Sequence, residues 1–184
     1  MRRYIQQRDD DDYSCGPIAI LNAAKWAGKS LTLKKDFQRI KCLTKCNKSG
    51  SLPFNIDIAL QKELKGFAYI EWKNVYLPKS LFERVKNLNI RDIRKEFEKG
   101  NSIIISFGYL EKRKIHGHIM FVSEYDNGHF LAHSYEKGSA CTWIPKREMS
   151  KLLHFVAVED DGTEYPDVWI IRRKGDHGVS TKNY

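Results

Sequence analysis

Two residues of this sequence have the type and setting for nucleophilic chemistry: Cys15 and, about a hundred residues later, His118. Cys15 lies in Asp12-Tyr13-Ser14-Cys15-Gly16-Pro17, where an acidic, polar stretch turns apolar. Pro17 fixes a backbone angle suited to a helix's first turn, where its missing N–H costs nothing. Ile18, Leu21 and Ala24 follow at helical spacing, and Gly28 is a natural stop, which predicts a helix over 15–27. Cys15 then sits in or just before the first turn. There the free N–H groups and the positive end of the helix dipole favour a thiolate. The plainer reading is that Cys15 is a buried thiol that fills space. His118 follows Gly117 and opens the apolar run Ile119-Met120-Phe121-Val122. A histidine at the start of such a strand, with glycine before it, reaches into a cleft without steric cost. His116 is the rival, on the same face if the strand extends back. A thiolate and an imidazole together suit acyl transfer: sulfur attacks a carbonyl carbon and the imidazolium protonates the leaving group.

These residues need a scaffold, and the hydrophobic pattern supplies one. Thr32 is an N-cap for a second helix with Leu33, Phe37 and Ile40 on one face. Residues 41–51 read as a polar loop holding Cys42 and Cys46. Pro53, Ile56, Leu60 and Leu64 mark a third helix ending near Gly66. Residues 67–77 read as extended, and Leu81, Phe82 and Val85 as a short helix. Ile90, Ile93 and Phe97 define a further helix closed by Gly100. The pattern then changes. Ile103 to Phe107 is a continuous apolar run, as in a buried strand. Residues 118–125 and 130–135 are strand-like around Asp126-Asn127-Gly128, a hairpin signal. A short strand at 142–145, a helix at 146–154 and a strand at 168–172 complete the series. Helices lie first and strands later, which predicts an α+β domain with segregated layers.

The segment around Cys15 resembles the nucleophile segment of papain-like cysteine peptidases. The likeness is strongest to the peptidases that trim double-glycine leader peptides in bacteriocin export. Those carry a glutamine, a short acidic loop and then Asp-Cys-Gly-Pro or similar. Here the match is Gln7, the run Asp9 to Asp12, and Ser14-Cys15-Gly16-Pro17. Ser14 stands where the family often has Asp. Gln7 lies eight residues before Cys15; the family's glutamine is nearer, at the place Asp9 holds here, and extra aspartates fit a loop insertion. Gly117-His118 before an apolar strand continues the likeness. The resemblance implies a papain-like fold, with a helical half carrying the cysteine and an antiparallel sheet carrying the histidine. It also implies an oxyanion site made from the Cys15 N–H and Gln7, a peptide substrate, and no cofactor or metal.

The leader peptidases orient the histidine with an aspartate on the next strand, and this chain has none there. It has Leu131-Ala132-His133-Ser134-Tyr135. Bacterial cell-wall cysteine endopeptidases, another papain-like group, use a Cys-His-His set, and His133-Ser134 resembles its third member. Register separates His133 from Ser134. A turn of two or four residues pairs His118 with an odd-numbered residue and puts His133 on its face, whereas three or five selects Ser134. Asn127-Gly128 favours a two-residue turn, and so His133.

Whole-chain properties bound the rest. With 184 residues, one domain is expected over 1–174, followed by a polar tail from Gly175. No apolar run is long enough for a membrane span. The first residues carry no apolar signal core, so a cytoplasmic location and reduced cysteines are expected. The net charge of +9 suits either a solvated basic surface or an anionic partner. No helix-turn-helix, zinc-finger or ribonucleoprotein signature points to nucleic acid. Cys42-x-x-x-Cys46 falls short of the four ligands of a structural zinc site. The leading expectation is a thiol hydrolase cleaving a peptide or isopeptide bond through Cys15. The other readings are a peptidoglycan endopeptidase or amidase, and an inactive binding module on the same fold.

Overall fold

Ile103, Ile104 and Ile105 are fully buried because the strand that carries them is covered on both faces. In the computed structural model, which describes residues 4–7, 13–48, 50–74, 89–135, 140–155, 157–158 and 164–174, this strand lies inside a mixed helix and sheet domain. The helices are α1 (Cys15–Trp26), α2 (Leu33–Leu43), α3 (Pro53–Glu63), α4 (Ile90–Glu98) and α5 (Lys146–His154). The strands are β1 (Ala68–Asn74), β2 (Ser102–Glu111), β3 (Lys114–Asp126), β4 (His129–His133), β5 (Thr142–Pro145), β6 (Ala157–Val158), β7 (Glu164–Tyr165) and β8 (Asp167–Arg173). Six strands form one antiparallel sheet in the order β1-β8-β2-β3-β4-β5, and β6 pairs with β7 apart from it. The helix with Leu81, Phe82 and Val85, the tail from Gly175, and Asp9 lie outside the described residues.

Local signals explain most element ends. The Thr32 hydroxyl accepts from the Lys35 N–H at 3.3 Å, which caps α2. Asn89 and Asp92 form a capping box at the start of α4. Pro53 occupies the first turn of α3. Two expectations need correction. α2 runs to Leu43, so Cys42 is helical and the loop is shorter. β3 begins at Lys114, not at His118, because β2 continues past Gly108 and pairs with it as a projecting ribbon. α1, α2 and α3 precede the antiparallel sheet that carries His118, while α4 and α5 pack on the side of the sheet opposite α1.

Alternation along the strands builds two cores. Ile104, Ile119, Phe121, Trp169 and Ile171 meet α1, α2 and α3 on one face. Ile103, Ile105, Met120, Val122 and Phe130 meet α4 and α5 on the other. In α1 every residue but Lys25 is buried, and Ala19, Ala23 and Ala24 let its neighbours approach closely. Buried Glu63 of α3 ties the helices together through ion pairs with Lys29, at 3.0 Å, and Arg39.

The tip of α1 is wedged. A β-carbon on Gly16 would lie 2.6 Å from Ile56 Cδ1 and 3.4 Å from both Ile119 Cδ1 and Ser51 Cβ. Gly16→Ala should therefore destabilise the fold by about 1–3 kcal/mol, the usual cost of overpacking. Ile56→Val removes the clashing methyl and should recover part of that loss. A double-mutant cycle by chemical denaturation checks this, and strict additivity would refute the wedge.

Candidate active site

The segment before Cys15 is fastened to α1 by one side chain. Buried Asn22 accepts from the Ile5 N–H at 2.7 Å and donates to the Ile5 carbonyl at 2.8 Å. This double bond imitates a strand partner and satisfies both backbone groups. Gln7, two residues on, is buried at 2% exposure. Tyr4, on the other side of the clamp, lies with its ring centroid 3.9 Å from that of His133.

Cys15 is the first residue of α1, directly after the N-cap Ser14. The Ser14 carbonyl accepts from the Ile18 N–H at 3.0 Å, closing the first turn, while its side chain makes no cap bond. Cys15 is 6% exposed and belongs to the core on the α1 side of the sheet. Its neighbour Gly16 packs against Ile119, the residue after His118, so the helix tip meets β3 at that level. Cys46 donates from Sγ to the Tyr13 carbonyl at 3.0 Å and braces the loop that leads into the helix.

His118 pairs across the ribbon with Phe107, and the two rings meet edge to face at 5.5 Å. Its Nε2 lies 2.5 Å from the Ser134 carbonyl oxygen. A carbonyl oxygen only accepts, so Nε2 carries the proton and donates. In the neutral ring Nδ1 then keeps its lone pair, as a general base requires. Ser134 has φ 60, a left-handed conformation that is uncommon outside glycine. The chain leaves β4 at this point. The partner of His118 is thus a backbone oxygen, which motif reading by side-chain type does not find.

His133 lies elsewhere. The hairpin has the two-residue turn that its sequence predicts, with Asp126 opposite His129. Between Val122 and Glu124 the register then shifts, leaving Ser123 as the extra residue of a bulge. One inserted residue reverses the facing of everything beyond it. His133 therefore shares a face with Phe121, its pairing partner, rather than with His118, and the expected His118–His133 pair does not form. The bulged Ser123 hydroxyl bonds His133 Nε2 at 2.7 Å, and Phe121 stacks on the ring at 5.5 Å. Burial pushes the His133 pKa down to about 4, with a smaller opposing contribution from the Ala140 backbone. The ring is neutral near pH 7. His116 is exposed on the ribbon and stacks on Tyr109 at 5.7 Å.

No protein-family model matches the sequence, and no curated protein matches it. Solved structures do. The peptidase domain of Streptococcus ComA, a bifunctional ABC transporter of a quorum-sensing pathway, superimposes with a TM-score of 0.59. It is 15% identical over 93% of this chain and 99% of that one. A candidate C39-like peptidase from Bacillus anthracis gives 0.59 at 10% identity over 95% and 97%. A double-glycine motif protease from an AMS/PCAT transporter, solved with its leader peptide, gives 0.54 at 10% identity over 94% of each. The fold is that of the C39-type peptidase domains. It is α+β and papain-like, the architecture that the Cys15 and His118 segments imply. Among the described residues, no helix of this papain-like domain is long and apolar enough to cross a membrane.

The depressed pKa of His133 has a consequence for stability. An unfolded histidine titrates near 6.5, whereas this one resists protonation down to about 4. Its contribution is complete above pH 6.5. As pH falls towards 4 the unfolded chain takes up a proton that the native state refuses, so stability drops, by on the order of 3 kcal/mol. His133→Gln should flatten the stability profile between those values. Denaturant titrations at pH 8, 6 and 4 check it, and an unchanged slope would show that His133 is not the buried group responsible.

Proposed function

We propose that this chain is a papain-like thiol hydrolase, a cysteine peptidase that acts through Cys15 with His118 as its base. The observation that supports it most is the hydrogen bond from His118 Nε2 to the Ser134 carbonyl. It fixes the tautomer in which Nδ1 is basic. His118 lies beside Phe107, on the face of β3 opposite the one whose Ile119 meets the Cys15 helix tip, so the proposal requires the imidazole to reach the thiol around the end of β3's buried run. Cys15 Sγ then attacks the carbonyl carbon of the scissile amide. The thiol proton, taken up at His118 Nδ1, passes to the leaving amine, and water, deprotonated by the same nitrogen, releases the acyl group and restores the thiol. Gln7, buried and carried beside α1 by the Asn22 clamp, is assigned to the oxyanion with the Cys15 N–H. Asp9 and His116 are assigned no part, and His133 acts as packing.

A peptide substrate fits the surface next to Gly16. Ser51 packs there, and Leu52 and Phe54 beside it are 52% and 62% exposed, an apolar lip for peptide side chains. The double-glycine protease bound to a leader peptide shows that one protein of this fold takes such a ligand. The cell-wall endopeptidase reading leaned on a Cys-His-His set, and the position of His133 weighs against it. The binding-module reading draws on the missing aspartate on the strand after the hairpin, on the displaced Gln7 and on the net charge of +9.

Variants separate these readings. Cys15→Ala should lower kcat/KM on a cleavable peptide by about a thousandfold or more, and His118→Ala by about a hundredfold or more. Ser134→Ala keeps the carbonyl and should retain activity within about threefold, because the side chain is not the orienting group. Retention of full activity in Cys15→Ala defeats the proposal. Iodoacetamide near pH 6 gives a substrate-free test. Labelling confined to Cys15 supports an enzyme, and labelling no faster than at exposed Cys42 supports a binding module.

A further inference from the structure

We infer that α5 forms an anion-recognition site for an acidic peptide segment, on the side of the sheet away from Cys15. An open pocket of about 600 Å³ is lined by Ile90, Lys146, Arg147, Ser150, Lys151 and His154. The α5 residues fall in two lines along the helix. Lys146, Ser150 and His154 repeat every fourth residue, as do Arg147 and Lys151, so successive groups stand roughly 6 Å apart. Lys146, Arg147, Lys151 and His154 are exposed, while Met149, Leu152 and Leu153 bury the opposite face in the core. The platform is fixed at its start, where the Lys146 N–H donates to the Gly128 carbonyl at 2.8 Å. Its last turn is fixed by His154, whose Nδ1 donates to the Ser150 carbonyl at 2.6 Å. Glu148 is the only carboxylate in contact with these cations among the described residues, 3.0 Å from Lys151.

The chemistry of the pocket selects its occupant. Three cationic side chains and a hydroxyl ask for several negative charges at regular spacing. Carboxylates on alternate residues of an extended peptide recur at close to the same interval as the lysine and arginine heads, roughly 6–7 Å. The floor is apolar, made of Ile90 and the methylene stems of the basic residues, which suits a peptide's intervening side chains. Single-stranded nucleic acid has phosphates at a comparable repeat, but its binding sites add aromatic rings for the bases to stack on. Apart from the His154 imidazole, no ring among the described residues lines this pocket. The site also gives a location to part of the +9 charge.

Fluorescence anisotropy of the whole chain tests it, with a labelled peptide carrying glutamate at alternate positions. The triple variant K146E/R147E/K151E should weaken binding at least tenfold with an unchanged circular dichroism spectrum. Raising salt from low to high should weaken the natural chain's binding several-fold. Cys15→Ala should bind as tightly as the natural chain, so failure of the peptidase reading would leave this result standing. Equal affinity in the triple variant overturns the inference. So does tighter, variant-sensitive binding of an RNA oligonucleotide of equal charge, which would make the patch a nucleic-acid surface.

Discussion

The contact on which the rest of the candidate site depends is the wedging of the first turn of α1 between Ile56 and Ile119. A helix that begins with a candidate nucleophile has to begin in a defined place, and the first turn is where helices fray. Here Gly16 brings the backbone against α3 and β3 at once, closer than any β-carbon would allow. The same helix fastens the preceding segment through Asn22, so Gln7 and Cys15 are held by one rigid body. The arrangement places the candidate residues on or beside a buried helix rather than on loops. It also explains why α1 is apolar nearly all round: it is the centre of one core, not a surface helix with one wet face.

The second constraint is the bulge at Ser123. Without it the two-residue turn would carry His133 to the side of His118. With it, His133 turns to Tyr4 and Phe121, and Ser134 comes level with the imidazole. The bulge is stabilised by the residue it redirects, since Ser123 bonds His133 directly. A single inserted residue thus does two things. It turns one histidine into a packing element that holds the N-terminal segment, and it frees the following backbone carbonyl to orient the other histidine.

Much of this was legible in the residues. Pro17 with its apolar spacing marked α1, Thr32 marked α2, and Asn127-Gly128 marked the turn. The Cys15 and His118 segments indicated the papain-like architecture that the superpositions bear out. What was not legible has physical reasons. A bulge has no residue signature at Ser123, because serine fits an ordinary strand equally well. A left-handed serine at 134 is selected by tertiary contacts against its own propensity. The ribbon before His118 was cut short because Gly117 and Gly108 read as ends, whereas they face each other inside a pair. The β6–β7 pair is too short for periodicity to reveal.

A carbonyl in place of a carboxylate changes how charge is shared at the candidate site. A carboxylate about 5 Å from an imidazolium contributes roughly 3 kcal/mol at an effective dielectric constant of 20. A hydrogen bond from a charged donor to a neutral carbonyl contributes about 1.5–3 kcal/mol, and roughly half of that is already present with the neutral ring as donor. The carbonyl therefore orients His118 about as well as a carboxylate but favours its cationic form less. The proposed thiolate–imidazolium pair therefore draws its stability from the other side, from the first-turn N–H groups and the dipole of α1 acting on sulfur. The placement of Cys15 at the first residue of a buried helix is then a condition of the proposed chemistry. A low-dielectric setting strengthens the dipole's hold on an anion but also raises the cost of desolvating it, so the first-turn N–H groups have to outweigh both that cost and the weaker partner on the base.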